Sequence, residues 1–169
     1  MIRDLARKLT AFGKFVGYVL AELEFRRGTF AAGAKVVKVY STMAVICVRS
    51  FQAELVVKMI RPRNEIQAAV GCRIQSSENF WRAFTASEVT DFVDDVRDKN
   101  QIHRLNPPIV PGLLVLENLL AEKIFADCQS IKLKFKNFIT AGEPLTLRGE
   151  KNFYEISCAG VRKILIAAN

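Results

Sequence analysis

The stretch that decides the fold is residues 98–120, "DKNQIHRLNPPIVPGLLVLENLL". It contains the only histidine of the chain, His103, followed by two consecutive prolines and then a Pro-Gly pair. An almost wholly apolar run begins at Gly112 and carries one carboxylate, Glu117. Proline fixes the backbone and removes a donor, so three prolines stiffen the path between histidine and apolar run. The pattern predicts a stiff loop that leads into a buried helix over residues 112–126.

Glu117 is unusual because helical spacing places it on an apolar face. Its neighbours on that face are Leu113, Leu120, Ala121 and Ile124. A carboxylate in apolar surroundings is costly unless it is paired or hydrogen-bonded. Two interpretations stay open: a structural ion pair or interface contact, or a general acid/base whose pKa is tuned by its environment.

His103 is the second candidate for chemistry, although a lone histidine is more often an ordinary surface or core residue. Asp98 precedes it by five residues, within reach in a tight loop, and could fix its tautomer. The free N–H groups at the start of the following helix, near Gly112, suit a developing oxyanion. Together these features favour an acid/base site in this loop.

The residues on both sides of this stretch predict an α+β protein. Before it, Thr85 and Glu88 form a capping box for a short amphipathic helix. After it come strand-like segments separated by turn signals, typical of an antiparallel sheet. These segments are residues 130–139, 143–150, 152–158 and 160–167.

The first half predicts one helix followed by three long strands. Residues 2–25 have apolar residues at helical spacing, and the segments after residue 33 are rich in Val and Ile. The helix fits a core-facing position; the alternative is a membrane-surface contact through residues 2–25, with its basic residues on lipid headgroups. The strands are placed at residues 34–50, 53–60 and 65–75, and a linker at 76–79.

Composition bounds the protein class. The chain has 169 residues, 50% of them hydrophobic, with a mean hydropathy of +0.14, which excludes disorder and allows one ordinary domain or two small ones. It has no uncharged apolar run of about 18 residues, so a spanning helix is not predicted. Four scattered cysteines and one histidine disfavour a zinc site, and we predict buried reduced thiols, no metal and no cofactor.

The N-terminal residues lack a signal peptide's apolar region, which favours a cytoplasmic protein. A mitochondrial presequence stays open, because basic residues outnumber acidic ones there. The net charge of +8 is uneven: residues 1–80 hold 13 basic and 6 acidic residues, and residues 81–169 hold 12 and 11. A basic protein attracts polyanions. Nucleic acid ranks low among them, because residues 26–75 lack stacking aromatics spaced among the basic residues.

"DKNQIH", residues 98–103, resembles the D-x-N-P-[IL]-H signature of the MaoC-like enoyl-CoA hydratases. That resemblance implies that Asp98 and His103 are a catalytic pair. The histidine, the Pro-Gly pair and the glutamate 14 residues after the histidine resemble the 3-hydroxyacyl-[acyl carrier protein] dehydratases, which implies a pair of His103 and Glu117. Both families have the hotdog fold, an antiparallel sheet wrapped around a central apolar helix. Gln101 departs from the signature, since the hydratases have proline there.

The resemblance implies two units. Residues 79–169 would be the hotdog domain that carries the site. Residues 1–78, a helix followed by strands, would be a degenerate second hotdog unit, as in double-hotdog hydratases; the alternative is an unrelated N-terminal extension. A hotdog sheet pairs with another within or between chains, so we expect a homodimer or heterodimer.

The function implied is a lyase that hydrates 2-enoyl thioesters or dehydrates 3-hydroxyacyl thioesters carried by CoA or acyl carrier protein. Asn100 and Gly112 would contact the substrate, and the Gly112 N–H would bind the thioester oxygen. Lys132, Lys134 and Lys136 share one strand face and would steer the anionic carrier; the alternative is a solvated face. Two other functions stay open: a non-catalytic acyl-thioester-binding or partner subunit, and a thioesterase that uses Glu117 and a water.

Overall fold

The computed structural model describes residues 1–64, 66 and 79–169. The strand predicted over residues 65–75, the linker over 76–79 and Cys72 lie outside these residues, apart from Ile66 and Asn79. The described part contains three α-helices, α1 (Ile2–Thr10), α2 (Ala86–Asp95) and α3 (Gly112–Leu119). Its strands are β1 (Val19–Arg27), β2 (Gly33–Tyr40), β3 (Met43–Arg49), β4 (Ala53–Ile60), β5 (Phe80–Arg82), β6 (Ser130–Phe135), β7 (Leu145–Glu150), β8 (Phe153–Cys158) and β9 (Val161–Ala168).

The nine strands form one antiparallel sheet in the order β2-β3-β4-β1-β6-β9-β8-β7-β5. The first half of the chain joins the second through the pairing of β1 with β6, where Leu23 lies opposite Leu133. Strands within residues 19–60 and strands within residues 80–168 therefore belong to one continuous sheet. The predicted α+β class with an antiparallel sheet is confirmed.

The strand order repeats about the β1–β6 pairing. Outward from β1 the order is β1, β4, β3, β2, and outward from β6 it is β6, β9, β8, β7. Each set of four strands follows a helix, α1 in the first half and α3 in the second, while β5 and α2 occur only before the second set. The hypothesis of two related units predicts this repetition. The assignment of residues 1–78 as a degenerate unit stays a prediction.

Alternation along the central strands separates a core face from a solvent face. Leu23, Phe25, Ile131 and Leu133 are almost wholly buried. The residues between them are charged, as expected for side chains that alternate across a strand. Helix α3 is the central helix, since five of its eight residues are buried: Leu113, Leu114, Val115, Leu116 and Leu119.

The N-terminal helix is shorter than predicted. It ends at Thr10, and Val19 to Arg27 form β1 instead. Gly17 interrupts the chain with a φ of +86°, which favours glycine. The residues after it fit period two as well as helical spacing, and β1 gains hydrogen-bonding partners on both sides, β4 and β6. The core-facing interpretation holds for α1, because Leu5 and Ala6 are fully buried.

Three other boundaries test the sequence analysis. The capping box of Thr85 and Glu88 is confirmed at the start of α2. Residues 34–50 are two strands, because a tight turn after Tyr40 returns the chain to pair with itself at Met43. Helix α3 ends at Leu119, well before residue 126, and a 3₁₀ turn follows over Lys123–Phe125. No helix in the described residues is long and apolar enough to cross a membrane.

Candidate functional site

The loop after α2 places Asp98 and His103 side by side. The Asp98 backbone N–H donates to the carbonyl of Val93 at 2.9 Å, and its Oδ1 accepts from the backbone N–H of Asn100 at 2.9 Å. A 3₁₀ turn over Gln101–Arg104 follows, in which the N–H of His103 donates to the carbonyl of Asn100. An aspartate that bonds the backbone two residues ahead is a common turn former. Local hydrogen bonding thus brings the aspartate close to the histidine.

The imidazole of His103 lies between a carbonyl and a carboxylate. Its Nδ1 is 2.7 Å from the carbonyl oxygen of Ile109, and its Nε2 is 3.6 Å from Oδ2 of Asp98. A carbonyl oxygen only accepts, so Nδ1 carries the proton and Nε2 has a free lone pair in the neutral ring. Burial lowers the pKa of His103 below its ordinary value, against the opposite effects of the Asp98 charge and the Ile109 carbonyl. The neutral imidazole is therefore favoured, with Nε2 available as a base.

The pair opens into a largely apolar cavity of about 310 Å³. Asp98, Asn100 and His103 line it, and so does Gly112 at the first turn of α3. The first N–H groups of a helix have no acceptor within that helix. Apolar side chains from both halves of the chain form the remaining wall, among them Leu9, Phe12, Phe15, Met59, Phe92, Leu113 and Phe135. The cavity thus combines an acid/base pair, helix N–H groups and an apolar chamber.

Asn100 lines the cavity, but its amide already has a partner. Its Nδ2 donates to the carbonyl of Tyr18 at 2.8 Å. This bond ties the loop of Asp98 to the residue that precedes β1. The geometry shows Asn100 anchoring the loop; its contact with a substrate stays a prediction.

Glu117 is not part of this group, although the sequence offered it as the alternative carboxylate. It does not line the cavity, and its carboxylate receives Arg3 of α1, with Nε 3.0 Å from Oε1 and Nη2 3.2 Å from Oε2. Arg3 also donates to Asp95 at 3.0 Å. Of the two interpretations of Glu117, the structure shows the ion pair. Glu117 is paired because α1 packs where Arg3 reaches it, and the local sequence around Glu117 does not reveal that packing.

The three lysines predicted to steer a carrier lie on two different surfaces. Lys132 and Lys134 are exposed on the solvent face of β6, opposite Glu24 and Glu22 of β1. Lys136 follows the end of β6 and lines the cavity. The predicted common face thus covers Lys132 and Lys134, while Lys136 belongs to the cavity.

Sequence reasoning missed two features of the site. Lys99 lines the cavity beside Asp98, and its position next to that residue was the available signal. The carbonyl of Ile109 fixes the His103 tautomer, and no side-chain pattern marks a backbone oxygen. Arg104, the last residue of the 3₁₀ turn, donates to Asp94 at 2.8 Å and does not line the cavity.

Solved structures of similar shape identify the fold. HtdX from Mycobacterium tuberculosis matches with a TM-score of 0.66 and 12% identity, over 99% of this chain and 86% of that one. A MaoC-like dehydratase from Phytophthora capsici matches with a TM-score of 0.56 and 13% identity, over 90% of this chain and 72% of that one. The fold is the hotdog fold. The predicted resemblance in fold to the MaoC-like proteins is confirmed.

The hotdog fold also occurs in proteins of other function. A putative thioesterase from Novosphingobium aromaticivorans matches with a TM-score of 0.52 and 10% identity, over 99% of this chain and 85% of that one. No protein-family model and no curated protein sequence matches the chain. At identities this low the likeness establishes the fold, and the reaction has to be argued from the site.

Proposed function

We propose that this hotdog protein is a lyase that hydrates 2-enoyl thioesters and, in reverse, dehydrates 3-hydroxyacyl thioesters. The observation that carries the proposal is the pair of Asp98 and His103, 3.6 Å apart, beside an apolar cavity. The reaction needs a base for water, an acid for the α-carbon and a donor for the thioester oxygen. The cavity offers groups for all three tasks.

In the hydration direction, water lies between Nε2 of His103 and the Asp98 carboxylate. The pair takes one proton of that water as its oxygen bonds to the β-carbon of the substrate. The electrons of the carbon–carbon double bond move to the thioester oxygen, which the Gly112 N–H stabilises. The pair then returns the proton to the α-carbon, so that the elements of water are added and nothing else is consumed.

The substrate would lie across both halves of the chain. Its acyl part fits the apolar wall near Leu9, Phe15 and Met59. Its anionic carrier, CoA or acyl carrier protein, would meet Lys99 and Lys136, the two lysines in the cavity lining. Docking of a phosphate or acidic surface by lysine acts mainly on association.

A thioesterase is the second candidate. It is supported by the Asp98 carboxylate in the cavity, which is able to activate a water toward the thioester carbonyl, and by the fold shared with the Novosphingobium protein. The two reactions differ in products. Hydrolysis releases a free thiol, whereas hydration removes the conjugated double bond and leaves the thioester intact.

The test follows both products in one sample. Purified protein is mixed with crotonyl-CoA or a longer enoyl-CoA, and the loss of enoyl absorbance and the release of thiol are recorded together. We expect absorbance loss without thiol, and a loss of about 10²–10⁴ in kcat for His103→Ala. Gln101→Ala, at an exposed position of the same 3₁₀ turn, is the matched control. Thiol release would favour the thioesterase, and tight binding without either product would favour a non-catalytic subunit.

A further inference from the structure

A buried ion pair lies outside the cavity, between β9 and the loop that follows β6. Lys163 of β9 is 5% exposed and Glu143 is 3% exposed, and Nζ is 2.8 Å from Oε1. Neither residue lines the cavity. Removing two charges from water is expensive, and a buried pair is often no more stabilising than apolar residues of the same volume. Stability alone therefore does not explain the pair, and the segments that it holds in place have to be considered.

The pair fixes the loop between β6 and β7. Nζ of Lys163 also donates to the carbonyl of Phe138 at 2.8 Å, and Oε2 of Glu143 accepts from the backbone N–H of Thr140 at 3.1 Å. Lys163 is part of a strand paired on both sides, by β6 and β8. The loop is thus bound to a regular part of the sheet.

This loop in turn holds the segment that contacts the histidine. The N–H of Val110 donates to the carbonyl of Ile139 at 2.8 Å, and the N–H of Ala141 donates to the carbonyl of Pro108 at 2.9 Å. Between those two bonds, the carbonyl of Ile109 lies 2.7 Å from Nδ1 of His103. Hydrogen bonds, together with the short backbone segments between them, therefore connect the buried pair to the imidazole.

We propose that Lys163 and Glu143 are positioning residues for His103. They hold the Ile109 carbonyl where it keeps the imidazole proton on Nδ1 and leaves Nε2 facing Asp98. The effect on turnover rests on the proposed hydratase function, whereas the effect on the tautomer does not. Neither residue touches the substrate.

The tautomer is directly measurable because His103 is the only histidine. Nitrogen-15 NMR of the imidazole, recorded at a pH where the ring is neutral, needs no assignment. We expect one tautomer, protonated on Nδ1, in the wild type. Glu143→Gln removes one charge, and the double variant Lys163→Met with Glu143→Leu removes both and leaves no buried charge unpaired. Both variants are expected to show a second population protonated on Nε2.

The control is Glu155→Gln. It breaks the ion pair of Glu155 with Arg162, the neighbour of Lys163, on the exposed side of β8 and β9. It changes the charge as Glu143→Gln does, and it leaves the charged groups that act on His103, Asp98 and Arg104, in place. The control should keep the wild-type tautomer, and circular dichroism should show all variants folded.

Activity adds a second measurement. We expect kcat for an enoyl thioester to fall about 10–100-fold in both Glu143 variants with little change in KM, because a small misplacement of an acid/base group costs rate and not binding. A folded double variant that keeps the single Nδ1 tautomer would overturn the inference at any activity. If the variants shift the tautomer but the wild type itself hydrates no enoyl thioester, the positioning role is supported and the proposed function is refuted.

Discussion

Arg3 in α1 binds Glu117 in α3 through both carboxylate oxygens and donates to Asp95 in α2 as well. The guanidinium carbon also lies 5.4 Å from the centre of the Phe92 ring. One side chain from the first half of the chain therefore joins the central helix and the helix before the site loop. Because α1 also lines the cavity, Arg3 fixes one wall of the chamber relative to the acid/base pair.

Glu117→Gln is expected to lower stability and keep turnover, whereas Asp98→Asn is expected to lower turnover. Glu117→Gln should lower the free energy of unfolding by about 1 kcal/mol, since the Arg3 and Glu117 side chains are 40% and 30% exposed and such pairs are weak. It should leave kcat within about threefold, because Glu117 is outside the cavity. Asp98→Asn should lower kcat by about 10²–10⁴. Urea titrations and initial rates on both proteins measure the two effects.

Arg3→Gln is the control for this comparison, because it breaks the same pair from the other side. It should lower the free energy of unfolding at least as much as Glu117→Gln, because it also removes the bond to Asp95, and it should keep turnover. A large loss of kcat in Glu117→Gln but not in Arg3→Gln would return Glu117 to the role of working carboxylate.

His103 should make stability depend on pH near neutrality. The unfolded imidazole has a pKa of about 6.5, and burial lowers the pKa of His103 in the folded protein. The unfolded chain therefore binds the proton first as pH falls. The free energy of unfolding should decrease below about pH 6.5, by at most about 1.4 kcal/mol per pH unit, and this contribution should level off below the folded pKa.

Two carboxylates, Glu88 and Asp95, make stability depend on pH in a lower range. Hydrogen bonds, from Thr85 to Glu88 and from Arg7 and Arg3 to Asp95, lower the pKa of both carboxyl groups, and the charges of nearby arginines act in the same direction. The stability that these two groups contribute is therefore present above their ordinary pKa values, near 4, and is lost below them. Urea titrations at pH 7.5, 6.5 and 5.5 separate the two ranges. His103→Gln should remove the change between pH 7.5 and 5.5, and an unchanged slope in that variant would mean that the histidine is not held neutral.

Local sequence signals predicted the parts of the site that local hydrogen bonds build. Asp98, His103 and the start of α3 lie within 15 residues of one another, so a local motif was able to indicate them together. The role of Glu117 was not predictable, because its partner Arg3 is 114 residues away and depends on where α1 packs.

The fold was predictable from alternation and turn signals in the second half, where β6 to β9 follow the predicted segments closely. The first half was harder, because residues 19–25 satisfy helical spacing and strand alternation equally. Pairing of β1 with both β4 and β6 decides between them, and that is a long-range effect. The continuity of the sheet across the two halves likewise has no local signal.

Gly112→Ala should damage the cavity at the start of α3. A Cβ at this position would lie 2.6 Å from the tip of the Phe135 ring and 3.0 Å from Cδ1 of Leu20, both of which line the cavity. The ring has to move, and crowding of this kind costs about 1–3 kcal/mol. We expect a lower melting temperature and a higher KM for long enoyl thioesters than for crotonyl-CoA. Gly33→Ala is the control, since Gly33 of β2 does not line this cavity and a Cβ there meets nothing within 4 Å.

The lysines should divide into a docking pair and an inert pair. Lys99 and Lys136 line the cavity, whereas Lys132 and Lys134 lie on the solvent face of β6 opposite glutamates. The double variants Lys99→Gln with Lys136→Gln, and Lys132→Gln with Lys134→Gln, remove equal charge. Steering fades with salt as the Debye length falls from about 10 Å at 0.1 M to about 3 Å at 1 M. We expect kcat/KM of the first variant to fall and lose its salt dependence, while the second behaves as the wild type. Equal effects from both pairs would mean that net charge, and not the cavity rim, attracts the carrier.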